Sequence, residues 1–493
     1  MNSHILSTND FKNADEILAL VRQANEMVQF ARDRTYTAKF PEKKGVLAFF
    51  EPSTRTHKSF KQAFLNLGLR IDEFSGAEGT SLMKKESLAD TARMIAGQGA
   101  DICVLRTTLE GGPRWIAEIV EKYGRNMCVI NGGDGRNQHP TQTLLDLLTI
   151  KRKLGRLNNF RIGYLGDLGN GRTGTSLSRA LSNFSGIETV LVSPKGAEMP
   201  NHAKVGLHII SESDSMDDLA SCDVVYVQRS QLERIIDPIL RKACQGQFII
   251  NKAVLDSWKK DVIVMHPLPS VEEIAPDIKS DPRLVAWEQA ENGVPARMSL
   301  SVRSLMEPFF GLGDLVIDVD LLKNEKEIPV GDSQKPVRYF QPIKRGTVID
   351  HIPPGEVVKL IHLLESTSCI TGEHPRQLVQ YVNSRKYEGQ KDVLLLPEVT
   401  MDDIVAATAQ FIYPEISINI LPGNDMKIKK SFKTPSHIKN VFGCPNEDCI
   451  TNNDPEANTI FIVNDRDNPT SPCRCHYCER VFNHESLVPH SAT

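Results

Sequence analysis

Four arginines in the first half of the chain stand where anion-binding groups are expected, each near the carboxyl end of a predicted strand. They are Arg55, Arg106, Arg172 and Arg229. A guanidinium presents a planar set of N–H donors that matches a carboxylate or a phosphate. Because ligands of parallel sheets bind outside the carboxyl ends of the strands, we expect these side chains to serve a binding site there. Four such groups indicate ligands with several negative charges.

Hydroxyl groups surround the first of these arginines, in the stretch Glu51–His57. Ser53, Thr54 and Thr56 lie between an apolar run that predicts a strand and an amphipathic pattern that predicts a helix. The free N–H groups and the positive dipole end at the start of that helix favour an anion. The simpler structural alternative is that Ser53 or Thr54 caps the helix while Arg55 points to solvent.

Other polar groups that could contact a ligand flank two further predicted elements. His139 and Gln142 stand where a predicted helix begins, although a histidine there is also common as a structural residue. Pro267 and Leu268 directly follow a predicted strand and His266. Because proline restricts both itself and its neighbour, we expect this loop to be held extended with its carbonyl groups displayed.

A polar segment that contains Ser81 and Lys85 precedes a helix predicted over residues 88–94. Such a segment is usually a solvated face. For Lys85 to take part in chemistry, it must reach an anionic ligand in this site or in the site of a neighbouring subunit.

The turn Gly169–Gly174 reads G-x-G-x-x-G between a predicted strand and a predicted helix, which is the pattern of a dinucleotide site. Two observations favour another ligand. A dinucleotide site has an acidic residue about 20 residues further on, whereas the next predicted strand ends in Ser193 and Pro194. Arg172 would also put a bulky cation where a pyrophosphate needs bare backbone. We therefore predict a carboxylate site built on Arg172, with an NAD site as the alternative.

Two close cysteine pairs near the end of the sequence predict a metal site. Cys444 and Cys449 form the first pair, and Cys475 and Cys478 form the second. Four thiolates suit a tetrahedral zinc ion, which can stabilise a module too small for a core of its own. We predict one structural zinc per chain on these four residues, with Cys473 left out.

Strand and helix patterns alternate along residues 1–310, which predicts an α/β class with two doubly wound parallel-sheet domains. We predict their boundaries at 1–145 and 146–310. A linker over 311–340, a small α+β domain over 341–435 and a zinc-binding β module over 436–493 are expected to follow.

The bulk composition limits the classes of protein to consider. The chain has 493 residues, a net charge of −4 and 40% hydrophobic residues. This length favours several compact units, and the nearly neutral charge disfavours a general nucleic-acid binder. The first residues lack a signal-peptide pattern, and no apolar run is long enough to span a bilayer. We expect a cytoplasmic protein without membrane or nucleic-acid partners.

Taken together, the motifs resemble those of aspartate carbamoyltransferases. Residues 1 to about 310 resemble the catalytic chain of that family, and the region 343–351 with the four-cysteine module resembles its separate regulatory chain. The sequence is thus similar to both chains joined in one polypeptide. Ornithine carbamoyltransferase is the alternative within the wider family, although it typically has a cysteine where this chain has Pro267. The motifs that carry the catalytic resemblance are Ser53-Thr54-Arg55-Thr56, Ser81 with Lys85, His139-Pro140-Thr141-Gln142, Gly171-Arg172-Thr173 and His266-Pro267-Leu268-Pro269.

The resemblance implies transfer of the carbamoyl group from carbamoyl phosphate to L-aspartate, an early step of pyrimidine biosynthesis. It also implies that Thr56, Arg106 and His139 donate to the carbonyl oxygen and stabilise an oxyanion. The residues implied for the phosphate are Ser53, Thr54, Arg55, Thr56 and Arg106.

The resemblance assigns the remaining substrate groups as well. Gln142 and the carbonyl groups of Pro267 and Leu268 would hold the carbamoyl amide. Ser81 and Lys85 would enter from an adjacent subunit, which implies a homotrimer or a larger trimer-based assembly with shared active sites. The residues implied for the two aspartate carboxylates are Arg172, Arg229 and Gln231, with Thr173 in the same motif.

Six residues match positions at which the regulatory chains of the family bind a nucleotide. Leu395 stands where the family usually has a phosphate-facing lysine, and Asn424 stands where a tyrosine is common. We therefore expect weak or absent control by CTP and ATP, with the segment kept mainly for assembly. A nucleic-acid role, based on the lysines between 427 and 433, is the alternative. The six matching residues are Ile343, Val348, Asp350, His351, Asn419 and Lys429.

Overall fold

Two parallel sheets organise the first unit of the computed structural model, which extends over Met1–Gly313, and antiparallel sheets organise the second, Asp314–Thr493. Each unit is described by itself below. The structure describes all residues except 1–2, 12, 34–39, 76–85, 230–236, 239–240, 243–244, 307–311, 313–325, 330–342, 385–388, 424–425, 433, 467, 469–470, 484–485 and 488–493.

The first sheet has four parallel strands in the order β2-β1-β3-β4. The chain leaves β1 towards β2 on one side and returns to place β3 on the other, so that β1 and β3 form a topological switch point. The strands are β1 (Lys44–Phe49), β2 (Arg70–Ser75), β3 (Ile102–Thr107) and β4 (Cys128–Asp134).

The second sheet has five parallel strands in the order β7-β6-β5-β8-β9. Its switch point lies between β5 and β8, because the chain goes from β5 to β6 on one side and later adds β8 on the other. The strands are β5 (Phe160–Gly166), β6 (Ile187–Val192), β7 (His208–Ser213), β8 (Val224–Gln228) and β9 (Ile263–Met265).

Helices connect these strands and bury apolar faces against them. In the helix that follows β1, Phe60, Phe64 and Leu67 are fully buried, and Gly68 ends the helix in the left-handed conformation with φ 78°. No helix in the described part of the chain combines the length and apolar character that crossing a bilayer requires. The described helices of this unit are α1 (Ala14–Asp33), α2 (Thr54–Leu67), α3 (Leu88–Gly97), α4 (Gly112–Lys122), α5 (Pro140–Leu154), α6 (Arg172–Leu181), α7 (Asn201–Lys204), α8 (Lys252–Ser257), α9 (Ala286–Glu291) and α10 (Gly293–Leu305).

Several element boundaries differ from those expected from the sequence. Arg106 lies within β3 rather than after it, and β4 continues through the glycines to Asp134. Helix α6 begins at Arg172, three residues before the expected start at Thr175. Arg172 therefore belongs to the first helical turn, where the N–H groups of the helix are free.

The second unit begins with a six-stranded antiparallel sheet in the order β10-β15-β14-β11-β13-β12. Strand β10 lies inside the segment expected as a linker, where it pairs with β15 at one edge of the sheet. The exact domain boundaries stay a prediction. The strands and helices are β10 (Lys326–Pro329), β11 (Arg345–Ile352), α11 (Val357–Ser366), β12 (Gln377–Ser384), β13 (Gly389–Pro397), α12 (Asp403–Ile412), β14 (Ser417–Pro422) and β15 (Met426–Lys430).

A second antiparallel sheet of four short strands completes this unit and confirms the predicted β module. Its small core contains Phe442, Phe461 and Phe482, which pack edge to face with ring centroids 6.5 and 6.3 Å apart. The strands are β16 (His437–Lys439), β17 (Ile460–Val463), β18 (Cys473–Cys475) and β19 (Val481–Phe482).

Candidate active site and metal centre

A cavity of about 830 Å³ in the first unit is lined by residues that follow the strands of both parallel sheets. It brings together the motifs that the sequence analysis took from distant parts of the chain. Ser81, Lys85 and Gln231 lie outside the described residues. The predicted residues that line the cavity are Ser53, Thr54, Arg55, Thr56, Arg106, His139, Gln142, Arg172, Thr173, Arg229, Pro267 and Leu268.

The four arginines of the sequence analysis occupy the switch points of the two sheets. Arg55 follows β1 and Arg106 lies near the end of β3, which are neighbours in the first sheet. Arg172 follows β5 and Arg229 directly follows β8, which are neighbours in the second sheet. Since a switch point opens a crevice between diverging connections, both positions are suited to bind a ligand.

The N-terminus of α2 contributes its free N–H groups to the cavity. Ser53 is the residue before the helix and is extended, with φ −159°. Within the described structure its hydroxyl makes no hydrogen bond that caps the helix, whereas Arg55 is exposed and lines the cavity. Burial lowers the pKa of Arg55, and the charge of Arg229 lowers it further. The two guanidiniums therefore repel each other across the cavity, which an anion would relieve.

Arg106 and Arg172 come from different sheets and meet at Glu51. The Glu51 carboxylate lies 3.2 Å from the Arg106 guanidinium and 3.5 Å from that of Arg172. Both arginines pack against Gly133, which has φ 116°. A Cβ atom there would lie 2.7 Å from Arg106 and 3.0 Å from Arg172, so a side chain at this position would displace both. Glycine thus allows the two cations to share one carboxylate.

His139 is buried at the start of α5, and its backbone N–H donates to the Ser176 hydroxyl at 3.2 Å. Its pKa is lowered well below the usual value, chiefly by burial and then by neighbouring positive charge. The imidazole is therefore neutral at pH 7 and can donate a hydrogen bond without carrying a charge. The neighbouring cations are Arg172, Arg106 and Arg297.

The prolines of the loop after β9 predicted an extended conformation. The structure shows instead that the chain turns at Leu268. Leu268 has φ 54°, and its backbone N–H donates to Nδ1 of His266 at 2.9 Å. Burial lowers the pKa of His266 to about 4 against the opposing effect of Glu273, so Nδ1 is available as an acceptor. This local hydrogen bond, which proline spacing does not reveal, folds the loop back so that Pro267 and Leu268 line the cavity.

The glycine-rich turn before α6 is filled by a protein side chain. A Cβ atom at Gly171 or Gly174 would overlap the amide of Gln228, which is buried at the end of β8. The glycines therefore make room for Gln228 rather than for bare backbone contact with a pyrophosphate. This packing removes the space that the NAD alternative requires.

Three charged residues of the cavity were missed by the sequence analysis: Glu51, Lys58 and Arg297. Glu51 was assigned no role, and Arg297 lies in α10, where an arginine at 3% exposure stands in an otherwise small and apolar helix face. The Arg297 guanidinium lies 5.1 Å above the Phe60 ring, and burial lowers its pKa to about 10. An arginine among the mostly small and apolar residues of this helix was the available signal.

The residues that match nucleotide-binding positions lie on neighbouring strands of the second unit. Strand register aligns Val348 on β11 with Asn419 on β14, and Asn419 with Lys429 on β15. Leu395 on β13 pairs with Val348 in the same row and is only 1% exposed. The row thus contains an apolar, buried side chain at the position where the family usually has a lysine.

The remaining members of this set lie close to β11. Asp350 forms an ion pair with Lys391 at 2.6 Å, and His351 follows it with φ 63°. Ile343 precedes the strand and is partly exposed. Asn424 lies outside the described residues. On β15, Lys430 is paired with Asp403 at 2.9 Å, which reduces the basic face that a nucleic-acid role would need.

Four buried cysteines of the β module form a cluster that suits a metal ion. The sulfur atoms of Cys444, Cys449, Cys475 and Cys478 all lie within 4.8 Å of one another, which confirms the predicted grouping. The Cys444–Cys478 and Cys449–Cys475 sulfur distances are 3.7 and 3.9 Å. Tetrahedral zinc with Zn–S bonds of about 2.3 Å requires sulfur atoms roughly 3.8 Å apart. Cys473 is buried but lies outside the cluster.

Comparison with known families matches nearly the whole chain. Residues 3–152 match the aspartate/ornithine carbamoyltransferase carbamoyl-P binding domain, and 158–303 match the Asp/Orn binding domain of the same family. Residues 339–433 match the allosteric domain of the aspartate carbamoyltransferase regulatory chain, and 436–488 match its metal binding domain.

Individual relatives agree with these matches. The aspartate carbamoyltransferase catalytic subunit of Methanothermobacter thermautotrophicus is 40% identical over 306 residues, which are 61% of this chain and 95% of that protein. The solved catalytic subunit of M. jannaschii aspartate transcarbamoylase is 38% identical with a TM-score of 0.56, covering 62% of this chain and 98% of that one.

A Trypanosoma cruzi aspartate transcarbamoylase, solved in complex with carbamoyl phosphate and aspartate, is 29% identical with a TM-score of 0.56. The match covers 62% of this chain and 96% of that one. The chain belongs to the aspartate carbamoyltransferase family, and it carries the domains of the family's catalytic and regulatory chains in one polypeptide.

Proposed function

We propose that the chain transfers the carbamoyl group of carbamoyl phosphate to L-aspartate in pyrimidine biosynthesis, giving N-carbamoyl-L-aspartate and phosphate. The observation that carries the proposal is the meeting of four arginines from two switch points in one cavity. Carbamoyl phosphate and aspartate together bring a phosphate and two carboxylates, which are the groups that guanidiniums bind best. The T. cruzi relative was solved with these two ligands.

The phosphate is proposed to bind at the N-terminus of α2, where free N–H groups, hydroxyls and Arg55 converge. The amine of aspartate attacks the carbonyl carbon of carbamoyl phosphate, and negative charge develops on the carbonyl oxygen. Thr56, Arg106 and neutral His139 donate to that oxygen. The bond from carbon to the phosphate oxygen then breaks, and the departing phosphate takes the proton of the amine.

Arg106 and Arg172 are already oriented by contacts within the protein, which supports their role in binding charge that develops during the reaction. Glu51 aligns Arg106 of the first sheet with Arg172 of the second, so that both guanidiniums are oriented by the protein itself. Donors that are already in place need little reorganisation as charge develops. Substrate positioning and electrostatic stabilisation account for the rate without a protein nucleophile.

Charge also favours aspartate over ornithine as the acceptor. Arg172 and Arg229 are proposed to hold the α- and β-carboxylates, with Thr173 beside them and Gln231 as a further contact. The side-chain ammonium of ornithine would approach the same guanidiniums and be repelled. A direct assay of the chain with carbamoyl phosphate and either amino acid tests this choice, and turnover of ornithine alone would contradict it.

We expect Arg55→Ala and Arg106→Ala each to lower kcat/KM by about 100-fold or more, because each removes a charged donor from the phosphate or the oxyanion. The measurement is steady-state carbamoyl transfer at saturating aspartate. Arg156→Ala is the matched control, since Arg156 is exposed and lies outside the cavity. Near-normal turnover in either cavity variant would contradict the assigned roles.

The active unit is proposed to be a trimer in which Ser81 and Lys85 complete the site of a neighbouring subunit. The proposal comes from the family resemblance, and both residues lie outside the described part of the chain.

If sites are shared, inactive Lys85→Ala and inactive Arg55→Ala chains should regain part of the activity when mixed under conditions that exchange subunits. The reason is that hybrid trimers contain some sites with both intact residues. Subunit exchange is checked by mixing chains of different mass. A mixture that exchanges fully and stays inactive would overturn the shared site.

The four-cysteine cluster is proposed to hold one structural zinc per chain, since the sulfur distances fit tetrahedral thiolate ligation. When bound, zinc would tie the loop with Cys444 and Cys449 to the turn after β18. This link supplies stability that the small core around Phe461 lacks.

We expect Cys478→Ser to lose the bound zinc and unfold the β module, while Cys473→Ser keeps the metal. Both thiols are buried, but only Cys478 belongs to the cluster, so the pair separates ligation from packing. Elemental analysis measures zinc per chain, and circular dichroism follows the module. Loss of zinc in both variants, or in neither, would contradict the assignment.

Regulation by nucleotides is proposed to be weak. Leu395 is buried in the row that Val348, Asn419 and Lys429 share, so one triphosphate contact of the family is replaced by an apolar side chain. A hydrogen bond to a charged group contributes about 1.5–3 kcal/mol. Its loss lowers affinity roughly tenfold or more.

We therefore expect CTP and ATP to change the rate little at micromolar concentrations. Carbamoyl transfer is measured over a titration of each nucleotide, with UTP as a comparison for non-specific ionic effects. Saturable inhibition by micromolar CTP would contradict this prediction.

A further inference from the structure

A buried carboxylate stands directly behind the cavity and outside its lining. Asp146 lies on α5 with no exposed surface. Three side chains from three elements donate to it: Gln142 of α5 at 3.0 Å, Gln289 of α9 at 2.6 Å and Tyr226 of β8 at 2.8 Å. The two glutamines share one oxygen, Oδ1, and the tyrosine hydroxyl contacts the other, Oδ2.

The carboxylate decides which way each glutamine amide faces. Oδ1 of Asp146 can only accept, so both glutamines must direct their NH₂ groups towards it. The carbonyl oxygen is then the part of the Gln142 amide left to face the cavity that this residue lines. An isolated glutamine could present either end of its amide, whereas Gln142 is held as an acceptor.

Gln289 links Asp146 to the loop after β9 by hydrogen bonds. Its Nε2 group is held by Asp146, so its Oε1 atom is free to accept from the backbone N–H of His266 at 2.9 Å. His266 Nδ1 in turn accepts from the backbone N–H of Leu268 at 2.9 Å. This chain of hydrogen bonds anchors the loop with Pro267 and Leu268, which line the cavity and whose carbonyl groups the family resemblance assigns to the carbamoyl amide.

We propose that Asp146 is a positioning residue that makes the site select an acyl phosphate bearing NH₂ over one bearing a methyl group. This inference rests on the proposed function and identifies the carbamoyl NH₂ as the group that the cavity recognises. A carbamoyl nitrogen offers two N–H donors, and the three acceptors around it are oriented from one carboxylate. An acetyl methyl group offers none and would leave these acceptors unpaired, which is costly in a buried site.

The orientation does not depend on the charge of Asp146. Burial raises its pKa to about 7 against the effect of its hydrogen-bond donors. A proton can lie on Oδ2 and be accepted by the Tyr226 hydroxyl, while Oδ1 still accepts from both glutamines. Asparagine can reproduce this pattern with its oxygen in place of Oδ1, whereas leucine of similar volume cannot.

The test compares binding of carbamoyl phosphate and acetyl phosphate to the full chain by calorimetry, together with kcat and KM for carbamoyl transfer. In Asp146→Leu we expect the Kd of carbamoyl phosphate to rise about tenfold or more, while that of acetyl phosphate stays within about twofold. Asp146→Asn should keep most of the preference. Equal weakening of both ligands in Asp146→Leu, or equal loss of preference in the two variants, would overturn the proposal.

A second variant covers the case in which Asp146→Leu fails to fold. Gln289→Met keeps the side-chain length and removes the hydrogen bonds to Asp146 and His266, while those from Gln142 and Tyr226 to Asp146 remain. A preference reduced about threefold or more supports the proposal. An unchanged preference in Gln289→Met contradicts it. Because binding is measured without aspartate, the outcome is separate from the proposed function, which fails if the unmodified chain transfers no carbamoyl group to aspartate.

Discussion

Repulsion among guanidiniums confined to one cavity is the constraint on which the rest of the site depends. Arg55 and Arg229 face each other closely enough that the charge of one, added to burial, lowers the pKa of the other. Arg106 and Arg172 lie close together because Glu51 pairs with both, Gly133 has no side chain, and both guanidiniums donate to backbone carbonyl groups near the end of β4. A site of this kind has an excess of positive charge, which anionic substrates neutralise.

The same positive field sets the chemistry of the uncharged groups. His139 is held neutral by burial and by the arginines around it, so it acts as a donor that adds no further repulsion. Behind the cavity, Asp134 accepts hydrogen bonds from Asn131, Asn137 and the backbone of Gly111, which shapes the loop that leads to His139. Buried carboxylates therefore orient the neutral parts of the site, while the arginines line the cavity.

Most of the fold and much of the site could be predicted because local patterns specify them. Alternation of strands and helices indicated parallel sheets, and arginines near the carboxyl ends of strands, such as Arg106 and Arg229, were candidates for ligand binding in the crevice there. Cysteine spacing indicated the four ligands of the metal cluster. Arg297 and Glu51 were missed because their role comes from distant elements that meet in space, and the loop at Leu268 was misjudged because a side-chain acceptor, His266, turns it.

The sequence by itself determined the class of fold, the order of the elements and the residue types available for anion and metal binding, since these depend on periodicity and spacing within short stretches. Only the tertiary structure decided that Gln228 fills the glycine turn, that Glu51 joins two arginines and that Asp146 orients two glutamines. Most of these contacts join residues that are far apart in sequence but close in space. The geometry of each contact is set by the packing of whole sheets and helices. The direction of an amide or the partner of a buried charge is therefore decided only when the chain has folded.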